Sequence, residues 1–523
     1  MSLYNPTGAR RSLFDTLKFR GISQVATVLG YIILVRGMPK SDFGVLSVLY
    51  SFIPVFGSIA SFGLEQILRR YQPDYLRDGN VSGAVALVRF VSSARFLLNL
   101  AFIGILLLTW NLLAPSYHLG PYRIDFMYFS VLLLIHFQVQ ILTLSFASRM
   151  LHRFSVGAVA LLSIGKLIGY GLMLHFNAFS LSHAIFADTG AYAVVYLFML
   201  SIYRQRCVPK EPLAPYRQPP EERKRMVRYG LFNNFNDTGS LLLGGATDNF
   251  FIAAFIDPIS VGIYAFYGRL NEMAINLLPV RLFDNIIQPL FFSVQKSEAD
   301  QRIPRLFTFL IDVNIVLLWA ILAFSIVYHA ELVRVLFAGK FIEHSWLLPL
   351  IVFFSTVNSI SVPVTLVAQF EEKAEILLYS KVFVAYNLAA MFVLIPIAGI
   401  YGAMLARGSA EAFKNLFVWW WMRRRARWRN ARAVIVTAFL VWGSVVAICT
   451  AAKHLVPAPP IAQLVFGVIV CSAGLLVYLR SPAIARSDRE ILKTVFHGRE
   501  GWLLRVLGLM DPLPAPTTRG LPP

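Results

Sequence analysis

Eight of the 48 Lys and Arg residues fall inside long apolar runs: Arg89, Arg95, Lys166, Arg269, Arg281, Lys381, Arg407 and Lys414. A charge at mid-bilayer costs about 2.5–3.5 kcal/mol even on a lenient insertion scale, so eight of them facing lipid would cost roughly 20–28 kcal/mol. They must face a wet cavity or partners. Arg269 and Glu272 stand at i, i+3, and Arg407, Glu411 and Lys414 at i, i+4, i+7, spacings that let acid and base meet on one helix face. Arg89, Arg95 and Lys166 have no acid one helical turn away. Their spacing predicts unpaired cations turned toward a ligand.

Lone cations in a partly hydrated, low-dielectric vestibule attract an anion with several oxygens, and the Arg fork holds two oxygens at once, as a diphosphate offers. A phosphate-bearing amphiphile fits. Arg89, Arg95, Lys166, Arg269, Arg281, Lys381 and Arg407 are therefore the expected substrate-binding set. Asp188, Asp237, Asp248 and Asp312 are candidate sites for a coupling Na⁺ or H⁺, and each could equally neutralise a neighbouring Arg. No catalytic constellation is visible. His136 and Gln140 share a helix face among Phe and Leu, which reads as a packed histidine. No P-loop, CxxC or zinc-ligand spacing occurs, so neither catalysis, a metal nor a cofactor is expected.

The elements that carry these residues follow from composition. Of the 523 residues 57% are hydrophobic and only 15% charged, with a mean hydropathy of +0.63. That is an integral membrane protein. At a 1.5 Å rise per residue across about 30 Å of hydrocarbon, about 14 runs are long enough to span. They are 20–36, 43–65, 82–111, 126–148, 155–176, 181–203, 229–255, 262–291, 306–328, 346–369, 377–397, 400–422, 433–452 and 461–480. The fold class is an all-α polytopic membrane protein. Counting the first run as inward-to-outward, 34 of the 48 basic residues fall in inner joints and 6 in outer ones. This positive-inside bias predicts an inner, cytoplasmic membrane with both termini cytoplasmic, and it accounts for the net charge of +20 without nucleic acid. Trp419, Trp420 and Trp421, followed by Arg423, Arg424 and Arg425, read as an aromatic belt against basic headgroup contacts. Cys207, Cys449 and Cys471 are read as reduced thiols. The first 20 residues are polar and basic, so the first run is expected to act as an uncleaved insertion signal.

A Pro-rich, basic stretch, 204–228, reads as an extended inter-lobe linker. It divides six runs (1–203) from the next six (229–422), leaving two C-terminal helices (433–480) and a tail (481–523) with a possible interfacial helix around Ser487 to Leu507. Six is even, so the halves can be parallel pseudo-repeats. A faint repeat agrees: Pro39, Ser41, Gly44 and Tyr50 after the first run are echoed by Pro258, Ser260, Gly262 and Tyr267 after the seventh. The seventh run holds Asn233, Asn234, Asn236, Asp237, Asp248 and Asn249, with Gly244 and Gly245 at its middle. It should line a cavity and bend.

The stretches GMPKSDFGVLSVLYSF (37–52), SFGLEQILRRYQPDYLRDGN (61–80) and IDPISVGIYAFYGRL (256–270) resemble the polysaccharide transporter, Wzx-like, branch of the multidrug/oligosaccharidyl-lipid/polysaccharide exporter superfamily. The layout resembles that family over the first twelve runs, the specific motifs over about 60 residues. The resemblance implies a flippase moving an undecaprenyl-diphosphate-linked oligosaccharide (an O-antigen, capsule or exopolysaccharide repeat unit) between leaflets by alternating access of two six-span lobes. It also implies membrane lipids, a polysaccharide polymerase and a chain-length regulator as partners. Arg269 and Arg281 match the family's habit of placing basic residues on the eighth span. The first run has neither a basic nor an acidic residue in its core. That departs from the lipid II and drug-antiporter branches, and makes peptidoglycan precursor and drugs less fitting cargoes. A cation-coupled drug or metabolite antiporter of the same superfamily is the alternative.

Overall fold

The computed structural model describes residues 6–209, 216, 219–276, 278, 291, 298–428 and 431–481. Every regular element among them is helical. The expected helix around 487–507 and Arg281 lie outside the described residues, as does the side chain of Asp237.

Eleven helices among the described residues are long and apolar enough to cross a membrane. One of the eleven, Glu375–Met422, contains two of the expected spans. Its main helix, Val382–Met422, is interrupted at Gly399, where φ is 58° and ψ is −136°, a conformation open to glycine and strained for other residues. A Cβ on Gly402 would lie 2.0 Å from the Leu394 carbonyl oxygen. Eight residues of straight helix would separate these positions by about 12 Å, so the chain doubles back here into a hairpin. The expected seventh span is two helices, Pro220–Leu241 and Gly245–Phe255. The eighth begins as Pro258–Ile275 and runs on beyond the described residues.

In chain order the helices are α1 (Pro6–Gly37), α2 (Lys40–Ser58), α3 (Leu64–Arg77), α4 (Val81–Leu108), α5 (Trp110–Leu113), α6 (Arg123–Ser148), α7 (His152–His175), α8 (Leu181–Arg206), α9 (Pro220–Leu241), α10 (Gly245–Phe255) and α11 (Pro258–Ile275). They continue with α12 (Ala299–Phe337), α13 (Leu347–Val357), α14 (Ser361–Phe370), α15 (Ala374–Tyr379), α16 (Val382–Met422), α17 (Ala431–Leu455) and α18 (Pro460–Arg480). The stretch read as an extended linker is shorter than expected. α8 runs to Arg206, and α9 opens at Pro220, whose fixed φ and missing N–H suit a first helical position.

The chain forms two compact units. One comprises Met1–Gly268 with Val384–Arg407, the other Arg269–Phe383 with Gly408–Pro523. In the first, α1 lies along α7, α6 and α7 both pack on α8, and α3 packs on α4 and α9. Leu68, Val91, Phe146, Val195 and Met199 belong to an apolar core of this unit. The two repeated turns also meet in this unit. A Cβ on Gly44 would sit 2.1 Å from the Pro258 carbonyl oxygen, and one on Gly262 would sit 2.9 Å from Gly44 Cα. The glycines let α2 and α11 cross backbone to backbone.

In the second unit α12 is the spine, packed by α13, α17 and α18. It kinks at Tyr328, whose φ of −114° is non-helical. Lys453 Nζ donates to the Val327 carbonyl at the kink and pairs with buried Glu331 at 2.8 Å. The carbonyl freed by the kink is thus satisfied. Lys453→Met should leave Glu331 uncompensated and lower the melting temperature of the purified protein by several degrees. An unchanged melting curve would show that the pair contributes nothing.

Candidate functional site

Three interior cations of the first unit converge on buried carboxylates, and none of the acids lies one turn away on the cation's own helix. Arg95 of α4 reaches Glu65 of α3 at 3.4 Å. Its Nη2 donates to the Phe56 carbonyl at 2.9 Å, and its guanidinium lies 4.2 Å from the Phe137 ring centre. The Arg95 side chain is 0% exposed. Gln140 Nε2 donates to the same glutamate at 3.3 Å.

Lys166 of α7 pairs with Asp188 of α8 at 3.1 Å. Its ammonium donates to Tyr50 Oη at 3.0 Å and lies 5.2 Å from the ring centres of Tyr50 and Tyr192. Tyr170 Oη donates to the other Asp188 oxygen at 2.7 Å. Asp188 is 0% exposed while Lys166 is 23% exposed. The acid is sealed and the base is reachable.

Arg407, in the returning arm of the α16 hairpin, pairs with Asp248 of α10 at 3.3 Å. Tyr264 of α11 donates to the same carboxylate oxygen at 2.6 Å. Here too the acid is 0% exposed and the base 31% exposed. Gly245 opens α10 directly beneath Arg407, where a Cβ would lie 3.0 Å from Nη1.

These contacts correct the expectation of unpaired cations. Arg95 and Lys166 do have acids, supplied by neighbouring helices, because helix packing brings together residues that i, i+4 spacing cannot. Arg95 is enclosed altogether, so in this conformation it is a structural cation rather than one turned to a ligand. Arg407 meets Asp248 of another helix at 3.3 Å, and Glu411 accepts from Asn358 Nδ2 at 3.3 Å. Arg269 pairs with Glu272 at 3.0 Å on an exposed face, as the spacing predicted. Arg89 is exposed and Lys381 half-buried. Asp312 is buried in the second unit, where Trp428 Nε1 donates to it at 2.8 Å.

The polar seventh run is in part glue rather than cavity lining. Ser61 Oγ donates to Asn234 at 2.8 Å and Asn249 Nδ2 to Ser51 at 2.8 Å, so α9 and α10 are stapled to the second span. His136 packs edge-on against the Phe137 and Tyr192 rings, each 5.1 Å away, as a core histidine does. Cys207, just past α8, is buried and unbridged, and burial pushes its thiol up. Sequence reasoning missed Glu65, Tyr50, Tyr170 and Tyr264. A signal for two of them was available: Glu65 stands in the apolar frame of Leu64, Ile67 and Leu68, and Tyr264 stands within the repeated turn.

Chemically, a carboxylate that already holds a guanidinium or ammonium can admit a proton or Na⁺ only by letting its cation go. The loss of that ion pair strengthens the cation's attraction for an anion. Among the described residues no cluster of His, Cys, Asp or Glu could hold a metal ion.

No protein-family model and no curated protein matches the sequence. Solved structures do. One, described as the lipid II flippase MurJ in an inward closed conformation, superposes with a TM-score of 0.66 at 10% identity, over 89% of this chain and 99% of that one. Another, an inward-facing multidrug resistance MATE family transporter of the MOP superfamily, gives 0.60 at 15% identity, over 79% and 98%. A MATE crystal structure in the bent conformation gives 0.51 at 16% identity, over 81% and 96%. The chain is a polytopic membrane protein with the fold shared by MurJ and the MATE transporters of the MOP superfamily.

Proposed function

We propose that this protein is a flippase that carries an undecaprenyl-diphosphate-linked oligosaccharide from the inner to the outer leaflet of the bacterial cytoplasmic membrane, by alternating access of two six-span lobes. The observation that carries the reading is the pairing of a reachable cation with a sealed acid at Lys166–Asp188 and again at Arg407–Asp248. A diphosphate headgroup offers either cation a replacement for its carboxylate. A proton on Asp188 would release Lys166, so headgroup and coupling ion would bind cooperatively. A fold shared over nearly the whole length of a lipid-linked flippase supports the same reading.

Deletion of the protein tests it. Undecaprenyl-linked repeat units should accumulate on the inner leaflet, and an unchanged pool of lipid-linked intermediates would refute the reading. The coupling has its own test. Headgroup binding to the wild type should tighten as pH falls, by up to tenfold per unit when one proton is linked. Asp188→Asn, which removes the carboxylate charge beside Lys166, should bind more tightly than the wild type at neutral pH and flatten that slope.

A cation-coupled antiporter is the second reading, favoured by buried Asp188 and Asp248, each with a tyrosine hydroxyl donated to it. Uptake of an organic cation into vesicles, abolished by Asp248→Asn while lipid-linked intermediates stay normal, would replace the first reading with this one.

A further inference from the structure

α9 has two faces of opposite use. Met226 and Gly230 are buried, Glu222 accepts from Tyr75 Oη at 2.8 Å, and Asn234 is bonded to Ser61, so one side is committed to the helices behind it. The other side is exposed, with the Arg223 guanidinium 5.8 Å from the Phe90 ring centre of α4 and that of Arg228 5.8 Å from the Phe232 ring centre. Arg223, Lys224 and Arg228 project from its first turns, and Leu231, Phe232 and Phe235 continue the same face; together they form one wall, contributed by α9, of a groove of about 770 Å³. Phe232 and Phe235 are 66% and 77% exposed. From Lys224 to Phe235 the helix rises about 17 Å.

An apolar stripe alone would suit lipid tails of any kind, and a basic turn alone would suit any anion. Their succession along a single groove suits an amphiphile lying parallel to the helix with its anionic end at the basic turns. Arginine forks and a lysine favour a group with many oxygens over a single phosphodiester. The apolar stripe of Leu231, Phe232 and Phe235 suits a hydrocarbon chain lying along the helix.

We propose that this face of α9 is a loading groove for a polyisoprenyl diphosphate, with Arg223, Lys224 and Arg228 on the diphosphate and Leu231, Phe232 and Phe235 along the first isoprene units. The inference rests on the transport reading above and adds where the cargo first engages. The three basic residues are exposed, so removing them leaves the core intact.

The test uses the full chain in phosphatidylcholine nanodiscs, with geranylgeranyl diphosphate as the probe. A basic residue beside an anionic headgroup contributes about fivefold in affinity, so the variant Arg223→Gln/Lys224→Gln/Arg228→Gln should bind about 100-fold more weakly. Phe232→Asn/Phe235→Asn should lose the preference for this probe over dimethylallyl diphosphate. Arg302→Gln, removing an exposed charge elsewhere, should bind as the wild type, and all variants should melt with it. If the wild type binds the probe and the triple variant binds it equally well, the loading groove is wrong while the transport reading stands. Displacement of the probe by phosphatidylglycerol at equal affinity would also overturn it, as the groove would then hold ordinary anionic lipid. A wild type that binds no polyisoprenyl diphosphate overturns both.

Discussion

Arg95→Met is expected to destabilise the protein by about 3–5 kcal/mol, the cost of leaving a buried carboxylate without its counter-charge. Glu65 pairs with Arg95 at 3.4 Å, and Gln140 supplies a neutral hydrogen bond that cannot replace a charge. Arg95 itself leaves Nε and Nη1 without hydrogen-bond partners among the described residues, so the pair is not generously solvated even when intact. The double variant Arg95→Met/Glu65→Gln should recover most of the loss, because removing both charges removes the desolvation penalty with the attraction. The measurement is thermal unfolding in detergent together with the yield of folded protein in the membrane. A single variant that inserts, melts normally and fails only in export would return Arg95 to the cargo-binding set that its spacing first suggested.

The second large effect belongs to the glycine crossing. Gly44→Leu places its Cβ against a backbone carbonyl, which cannot swing aside as a side-chain tip can, so α2 and α11 must separate. Overpacking usually costs about 1–3 kcal/mol where side chains can adjust. A backbone obstruction belongs at or above the upper end. If the proposed flippase reading holds, export of surface glycan should be lost, and Gly44→Ala should show a smaller loss of the same kind. Gly104→Ala is the control, since nothing lies within 4 Å of the atom it adds. If Gly44→Leu exports and melts as the wild type does, the two repeated turns are not held together in the membrane as they are here. The same crossing explains why the repeat tolerates divergence elsewhere: the small residue is what the contact needs, while its neighbours only need to be helical.

How far the sequence could be read follows from the kind of force involved. Burial of apolar runs in lipid is a local property, set by length and hydropathy over some twenty residues, so the all-helical, many-span class was legible at once. The break at Gly399 was legible too, falling between the runs read as 377–397 and 400–422. An apolar stretch of 48 residues is twice what a bilayer needs, and Pro396 with Gly399 marks its middle. Along-helix pairs such as Arg269 with Glu272 were visible for the same reason, since both partners lie on one element. The partners of Arg95, Lys166 and Arg407 were not. Glu65 lies 30 positions from Arg95, and Asp248 is far from Arg407 along the chain; only the packing of separate helices brings them within 3.4 and 3.3 Å. Sequence alone therefore determined that these cations must face a wet cavity or partners, and it read Arg95 and Lys166 as unpaired. The tertiary structure decided which partners they meet, because electrostatic compensation acts through space, over a few ångströms, and is blind to the order of residues along the chain.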